Sequence, residues 1–261
     1  MTPAKAIEAL ARRDRIVVAA ALAGIATLSW VYIFHLAAGM VGMGAMEAIA
    51  MPALKPWSAT DALTMFVMWA VMMTAMMIPS AAPMILLHAA ILRKRNDGQP
   101  PGAATIAFAA GYLVVWTGFS ALATTTQWGL EQAALLSPMM VSTSPYLGAL
   151  LLMAAGLYQM TNLKEVCLQH CRSPMHFISL HWRNGTGGAF RMGLDHGVYC
   201  VGCCWVLMAL LFVGGVMNLL WIAALAAFVL IEKLVRGGAL FGRTAGGAMI
   251  LAGAGMLAAA G

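Results

Sequence analysis

Charge is what this sequence has least of. Only 9% of its 261 residues are Asp, Glu, Lys or Arg, against about 25% in an ordinary soluble domain. So few charges cannot cover a chain that is 62% hydrophobic. A water-soluble globule is therefore excluded and an integral membrane protein is expected. Also missing are an internal repeat, a linker and any polar stretch long enough for a separate soluble domain, so residues 1–261 read as a single membrane domain. There is no nucleotide motif and no nucleophile–base constellation, which leaves ATP-driven pumping and serine or cysteine hydrolysis unsupported. The net charge of +6 does not point to nucleic acid, because the basic residues sit in short segments between apolar runs.

What is present is apolar sequence in long runs. A spanning helix needs about 20 such residues. Seven runs are read as spans: roughly 16–38, 61–92, 103–128, 146–163, 196–214, 217–232 and 241–260. The first exceeds the roughly 7–15 residues of a secretory-signal core and is expected to stay in place. The predicted fold is all-α, a polytopic transmembrane helical bundle. With the N-terminus in the cytoplasm, every basic residue but Lys55 of the 15 falls on the inner side. That asymmetry sets the orientation and puts the C-terminus outside. Pro79 and Pro83 predict a kinked or broken second span, and Gly214 to Asn218 a tight hairpin. Gly242 and Gly246 have the spacing of a close helix–helix contact. In the largest inner connection, 164–195, Ser173-Pro174 predicts a short interfacial helix stopping near Gly185.

The few cysteines are concentrated. All five lie in Cys167-Leu168-Gln169-His170-Cys171 and in Asp195-His196-Gly197-Val198-Tyr199-Cys200-Val201-Gly202-Cys203-Cys204. Cys167, His170 and Cys171, at i, i+3 and i+4, share one face of a helix that prolongs the fourth span. His196, Cys200, Cys203 and Cys204 share one face of the fifth. Thiolates with imidazole are ligands for Cu(I), Zn(II) or iron–sulfur centres, and polar groups are costly in a bilayer unless they serve a function. The set Cys167, His170, Cys171, His196, Cys200, Cys203 and Cys204 is read as a metal site at the cytoplasmic edge, with packing as the alternative for any single cysteine. A disulfide is disfavoured on the reducing inner side, and the Cys200–Cys203 redox spacing lacks its usual soluble context. Asp195 is read as a helix N-cap or as an orienting partner of His196.

Methionine is plentiful, at 22 residues. Met40, Met43, Met46 and Met51 fall in the first outer loop. Met65, Met68, Met72 and Met76 form a stripe on the second span. Thioether sulfur selects Cu(I). Packing is the commoner use of such a stripe, and Met72 and Met76 are named as accessory ligands beside that alternative. His35 and His88 read as interfacial, and Glu131, Glu165 and Glu232 as boundary charges.

From Met68 through Ser80 the chain resembles a bacterial family of predicted metal-binding integral membrane proteins, catalogued as a domain of unknown function. The likeness continues through Tyr158-Gln159, Cys167 to Pro174, Trp182-Arg183, Gly188-Ala189, Gly193, His196-Gly197 and Tyr199 to Trp205. It ends around Gly214 to Leu219 and Glu232-Lys233. The resemblance implies an inner-membrane, multi-pass protein that binds metal through these residues. The expected function is Cu(I) handling, by import, retention or delivery to a membrane metalloenzyme. The alternatives are a metal-dependent redox subunit of a membrane complex, or a structural subunit with no metal. The expected ion is copper(I), with zinc or iron as alternatives. The expected partners are the lipid bilayer and a membrane metalloenzyme or other membrane subunit, without nucleic acid.

Overall fold

The computed structural model describes residues 3–47, 57–95, 102–137 and 140–260. Among them every regular element is helical: α1 Pro3–Glu47, α2 Ala59–Arg95, α3 Gly102–Gln132, α4 Pro145–Gln159, α5 Asn162–Arg172, α6 Pro174–His181, α7 Gly185–Ala209, α8 Leu211–Gly214, α9 Leu219–Leu234 and α10 Gly238–Ala260.

Seven spans were expected, and the structure supports five. Arg15–Gly39, Ala59–Arg95, Gly102–Gln132, Gly185–Gly214 and Gly238–Ala260 are long and apolar enough to cross a membrane. At 1.5 Å per residue, α4 with 15 residues and α9 with 16 rise only about 22 and 24 Å, short of a hydrocarbon layer of about 30 Å. Capping is the reason. The apolar run of α4 ends at Met160, and the Thr161 hydroxyl then accepts from the Lys164 amide to start α5 as a separate helix. Asn218 caps α9 at one end, and an extended Val235 closes it at the other. A hydropathy count does not register caps.

Other elements follow the sequence more closely. α2 runs through Pro79 and Pro83 as one continuous helix. α6 begins at Ser173-Pro174 with proline in its first turn, but it stops at Trp182. Gly185, with φ +77°, opens α7 rather than closing α6. The turn before α9 contains Gly215 at φ +98°, a left-handed value that suits glycine. The backbone of Met40, Met43 and Met46 belongs to α1 rather than to a loop. The side chains of these three, and all of Met51, lie outside the described residues.

The core forms where α3 crosses α7. A methyl group on Gly193 would stand 2.0 Å from the Phe108 carbonyl oxygen, and one on Gly111 would stand 2.2 Å from the Phe190 carbonyl oxygen. Gly197, four residues beyond Gly193, lies against Val115 and the Tyr112 carbonyl. Small residues at this spacing let two helix backbones touch. The contact puts Tyr112 of α3 beside Cys200 of α7. α4 lies along α10 in the same way, with Gly156 against the Gly246 carbonyl, and Gly242 lies against the Glu232 carboxylate. The close contact predicted for Gly242 and Gly246 is present.

One buried ion pair fixes α5. Lys164 Nζ lies 2.7 and 2.9 Å from the two Glu232 carboxylate oxygens and also donates to Gln159 Oε1. Both charged side chains are at most 3% exposed. Glu232 is therefore not a boundary charge. Removing one partner of a buried pair strands the other, at about 3–5 kcal/mol. Lys164→Met is expected to lower the unfolding midpoint in detergent by that equivalent, and Lys164→Met combined with Glu232→Leu to recover most of it. A single variant as stable as the parent would show that the pair does not hold α5.

Candidate metal centre

α7 carries the centre. Cys200, Cys203 and Cys204 are each at most 1% exposed, on the face turned toward α3, α5 and α9. The thiols of Cys203 and Cys204 donate back to the Cys200 carbonyl at 3.1 and 3.0 Å, as hydroxyls do inside helices. The Cys200 sulfur is left free to meet other helices. The Tyr112 hydroxyl lies 3.1 Å from it and also donates to the Met77 carbonyl at 3.2 Å.

A buried cation completes the contact. Lys233 Nζ donates to the Cys200 sulfur at 2.9 Å and to Ser80 Oγ at 3.1 Å, with the residue only 5% exposed. An ammonium inside an apolar bundle needs a compensating anion. Charge-assisted bonds to an anionic acceptor are about twice as strong as neutral ones, so the thiolate is the partner this geometry suits. The sequence reading places Lys233 among the inner-side positive charges, since a lysine one residue beyond the expected span 217–232 reads as a boundary residue. A buried Glu232-Lys233 pair in an otherwise apolar run was the available signal.

α5 supplies a further sulfur. Cys171 lies beside Cys200 and Cys203. Those two neighbours, Cys200 first, hold its proton well above the ordinary thiol range, with burial adding to the effect. Cys167 is half-buried, and its sulfur lies over Gly202, where an added methyl would stand 2.7 Å from it. The two cysteine stretches are neighbours, and α5 is a helix of its own rather than an extension of α4. The five cysteines are free thiols.

The histidines are arranged differently. His170 stacks on Tyr199 at 4.1 Å between centroids, and its Nδ1 is bonded to the Val166 carbonyl. Its nearest imidazoles are His181 and His176, at 6.1 and 6.3 Å. His196 lies one turn before Cys200, stacked on Tyr112 at 5.6 Å, and its Nδ1 has no partner. His88 is fully buried against Phe108 and Trp182 with neither nitrogen bonded, and is not interfacial. Asp195 is neither cap nor orienting group. α7 begins ten residues earlier, after Asn184, and Asp195 pairs with Arg191 on its own helix at 3.5 Å. Met72 and Met76 are buried on α2, two turns and one turn before Ser80.

Among the described residues, no three His, Cys, Asp or Glu side chains stand as a ready-made coordination shell. The Cys203 and Cys204 thiols are spent on the Cys200 carbonyl, and the Cys200 sulfur on Lys233 and Tyr112. An arriving soft cation would replace hydrogen bonds rather than fill an open cage. No curated protein and no solved structure matches the chain. Residues 66–256, from the methionine-rich part of α2 through both cysteine stretches and most of α10, match a family profile, and the chain belongs to that family, PpoB2, described as a copper chaperone.

Proposed function

We propose that this chain is a multi-pass protein of the bacterial inner membrane that holds Cu(I) on the thiols of Cys200, Cys203, Cys204 and Cys171 and delivers it to a membrane metalloenzyme. The observation that carries this reading is a buried ammonium on the Cys200 sulfur, with Cys203 and Cys204 on the same buried face and Cys171 beside them, in a chain of a copper chaperone family. Two thiolates around a univalent ion carry one surplus negative charge, and Lys233 supplies the matching positive one. His196, with an unpartnered ring nitrogen one turn away, is an accessory ligand in this reading. Cys167 and His170 belong to the approach from the inner side, and Met72 and Met76 to the interior of α2. The orientation follows the basic residues. Arg93, Lys94 and Arg95 end α2, Arg95 lies over Trp182 beyond α6, and Arg172 and Arg243 bond across the neighbouring helix ends; in this reading that end and the N-terminus face the cytoplasm.

The test is a Cu(I) titration of the purified full chain in detergent against a chromophoric chelator. The parent is expected to bind about one tight Cu(I), with affinity falling as pH is lowered, because thiol ligands must give up their protons to bind. Cys200→Ser/Cys203→Ser/Cys204→Ser is expected to lose the tight, pH-dependent binding. Undiminished binding by that variant would make the cysteines packing residues and end the copper-thiolate reading.

A further inference from the structure

A second group of sulfurs lies toward the opposite end of α2, away from the cysteines. The amide of Gln127, fully buried on α3, is its centre. Gln127 Oε1 accepts from the Trp69 indole at 2.7 Å, which fixes the amide so that its nitrogen faces away from Trp69. That nitrogen has three acceptors: Glu131 Oε1 at 2.8 Å, Met140 Sδ at 3.4 Å and Met65 Sδ at 3.6 Å. An amide has two hydrogens to give, so the site holds more acceptors than donors. The Glu131 carboxylate, bonded through its other oxygen to the Trp57 indole at 2.7 Å, adds negative charge.

Met140 is held there under constraint. Its φ of +55° is uncommon for a residue with a side chain, and its carbonyl accepts from Val216 in the turn before α9. Both thioethers lie within 3.6 Å of one nitrogen, so they are at most about 7 Å apart. A bridging soft ion with bonds of about 2.3 Å needs them near 4.6 Å, a change within reach of two flexible methionine side chains. A cavity of about 320 Å³, lined by Trp57, Ala62, Thr124 and Trp128, adjoins the same layer.

We propose that Met65, Met140 and the Glu131 carboxylate form a second binding site for a univalent soft cation, Cu(I) as cargo. This deepens the copper reading by giving the chain a site remote from the thiols. Met65 is twelve residues before Met77, about 18 Å along the helix. Met68, Met72, Met73 and Met76, each at most 2% exposed, fill the interval and lead toward the Met77 carbonyl and Cys200. Thioethers need no deprotonation to bind, so this site works at pH values where thiols hold their protons.

The experiment follows the methionine methyl resonances of the full chain, labelled with carbon-13, during titration with Ag(I) as a redox-inert probe. Met65→Leu and Met140→Leu assign the two signals. Both are expected to shift together, in the parent and in the Cys200→Ser/Cys203→Ser/Cys204→Ser variant alike. The Met65→Leu/Met140→Leu variant is expected to bind about one Ag(I) fewer, and Glu131→Gln to weaken this site about tenfold while both signals remain. If the two signals stay fixed in the parent and in the serine variant at excess Ag(I), the second site does not exist, whatever the cysteines do. If they shift while the serine variant binds Cu(I) as tightly as the parent, the thiol reading fails and this site stands.

Discussion

Lys233→Met is expected to weaken Cu(I) binding by about 10- to 100-fold while leaving the helices assembled. The ammonium donates a charge-assisted hydrogen bond to the Cys200 sulfur, and such bonds contribute about 1.5–3 kcal/mol. Each 1.4 kcal/mol is tenfold in affinity. Without the lysine, a two-thiolate complex of a univalent ion carries an uncompensated charge in a low-dielectric interior. Lys233→Arg keeps the charge, but its planar fork fits poorly between Ser80 and Cys200, so its affinity should fall between those of parent and Met variant. Chelator competition at one fixed pH reads all three proteins. Equal affinity in parent and Met variant would reduce Lys233 to a buried packing group.

Gly193→Ala is expected to prevent α3 and α7 from closing. The added methyl would sit 2.0 Å from the Phe108 carbonyl oxygen and 2.9 Å from its carbon. Ordinary overpacking costs about 1–3 kcal/mol because side chains can yield. Here the obstacle is backbone, and the whole helix must move away. The expected result is loss of monodisperse protein in detergent, or a steep fall in unfolding midpoint, together with loss of Cu(I) binding as Tyr112 leaves Cys200. Gly118→Ala in α3 is the control. Nothing lies within 4 Å of the added methyl, so this variant should be neutral or gain up to about 1 kcal/mol from helix propensity. A Gly193→Ala protein melting with the parent would mean that the two backbones are not in contact.

The helical character, the hairpin before α9 and the start of α6 at Ser173-Pro174 were all legible from composition and turn chemistry. So was the shared face of Cys200, Cys203 and Cys204, because helical spacing alone decides it. The count of spans was not. Thr161 and Asn218 shorten α4 and α9 through hydrogen bonds that hydropathy does not see. Charge was misjudged for a related reason. Glu232 and Lys233 look like the polar end of an apolar run, yet both are buried, one against Lys164 and the other against Cys200. Whether a charge at a helix end meets water or a partner depends on which helix crosses there, and that is long-range information. His170 was grouped with its sequence neighbours Cys167 and Cys171, but its ring lies against Tyr199 of α7. Met140 does not stand out in the sequence because only Met139 beside it is a soft ligand; its partners in space arrive from α2 and α3.

The seam of glycines between α3 and α7 also decides which part of the thiol cluster is free to move. Two helices in backbone contact through Gly111, Gly193 and Gly197 can neither slide nor rotate without collision, so Cys200, Cys203 and Cys204 ride on a fixed rail. Cys171 rides on α5, 11 residues between a break at Thr161 and another at Ser173. Polar contacts made by Lys164, Glu165 and Arg172 tie that helix to α9 and α10. The Glu165 and Arg172 contacts are exposed and can be exchanged for water, whereas the buried Lys164–Glu232 pair is the pivot that stays and the glycine seam is a steric lock. The cluster therefore has a stator and a latch. If the chain hands on an ion as proposed, the α5 side is where the cluster can open, and Cys171 is the sulfur that moves with it.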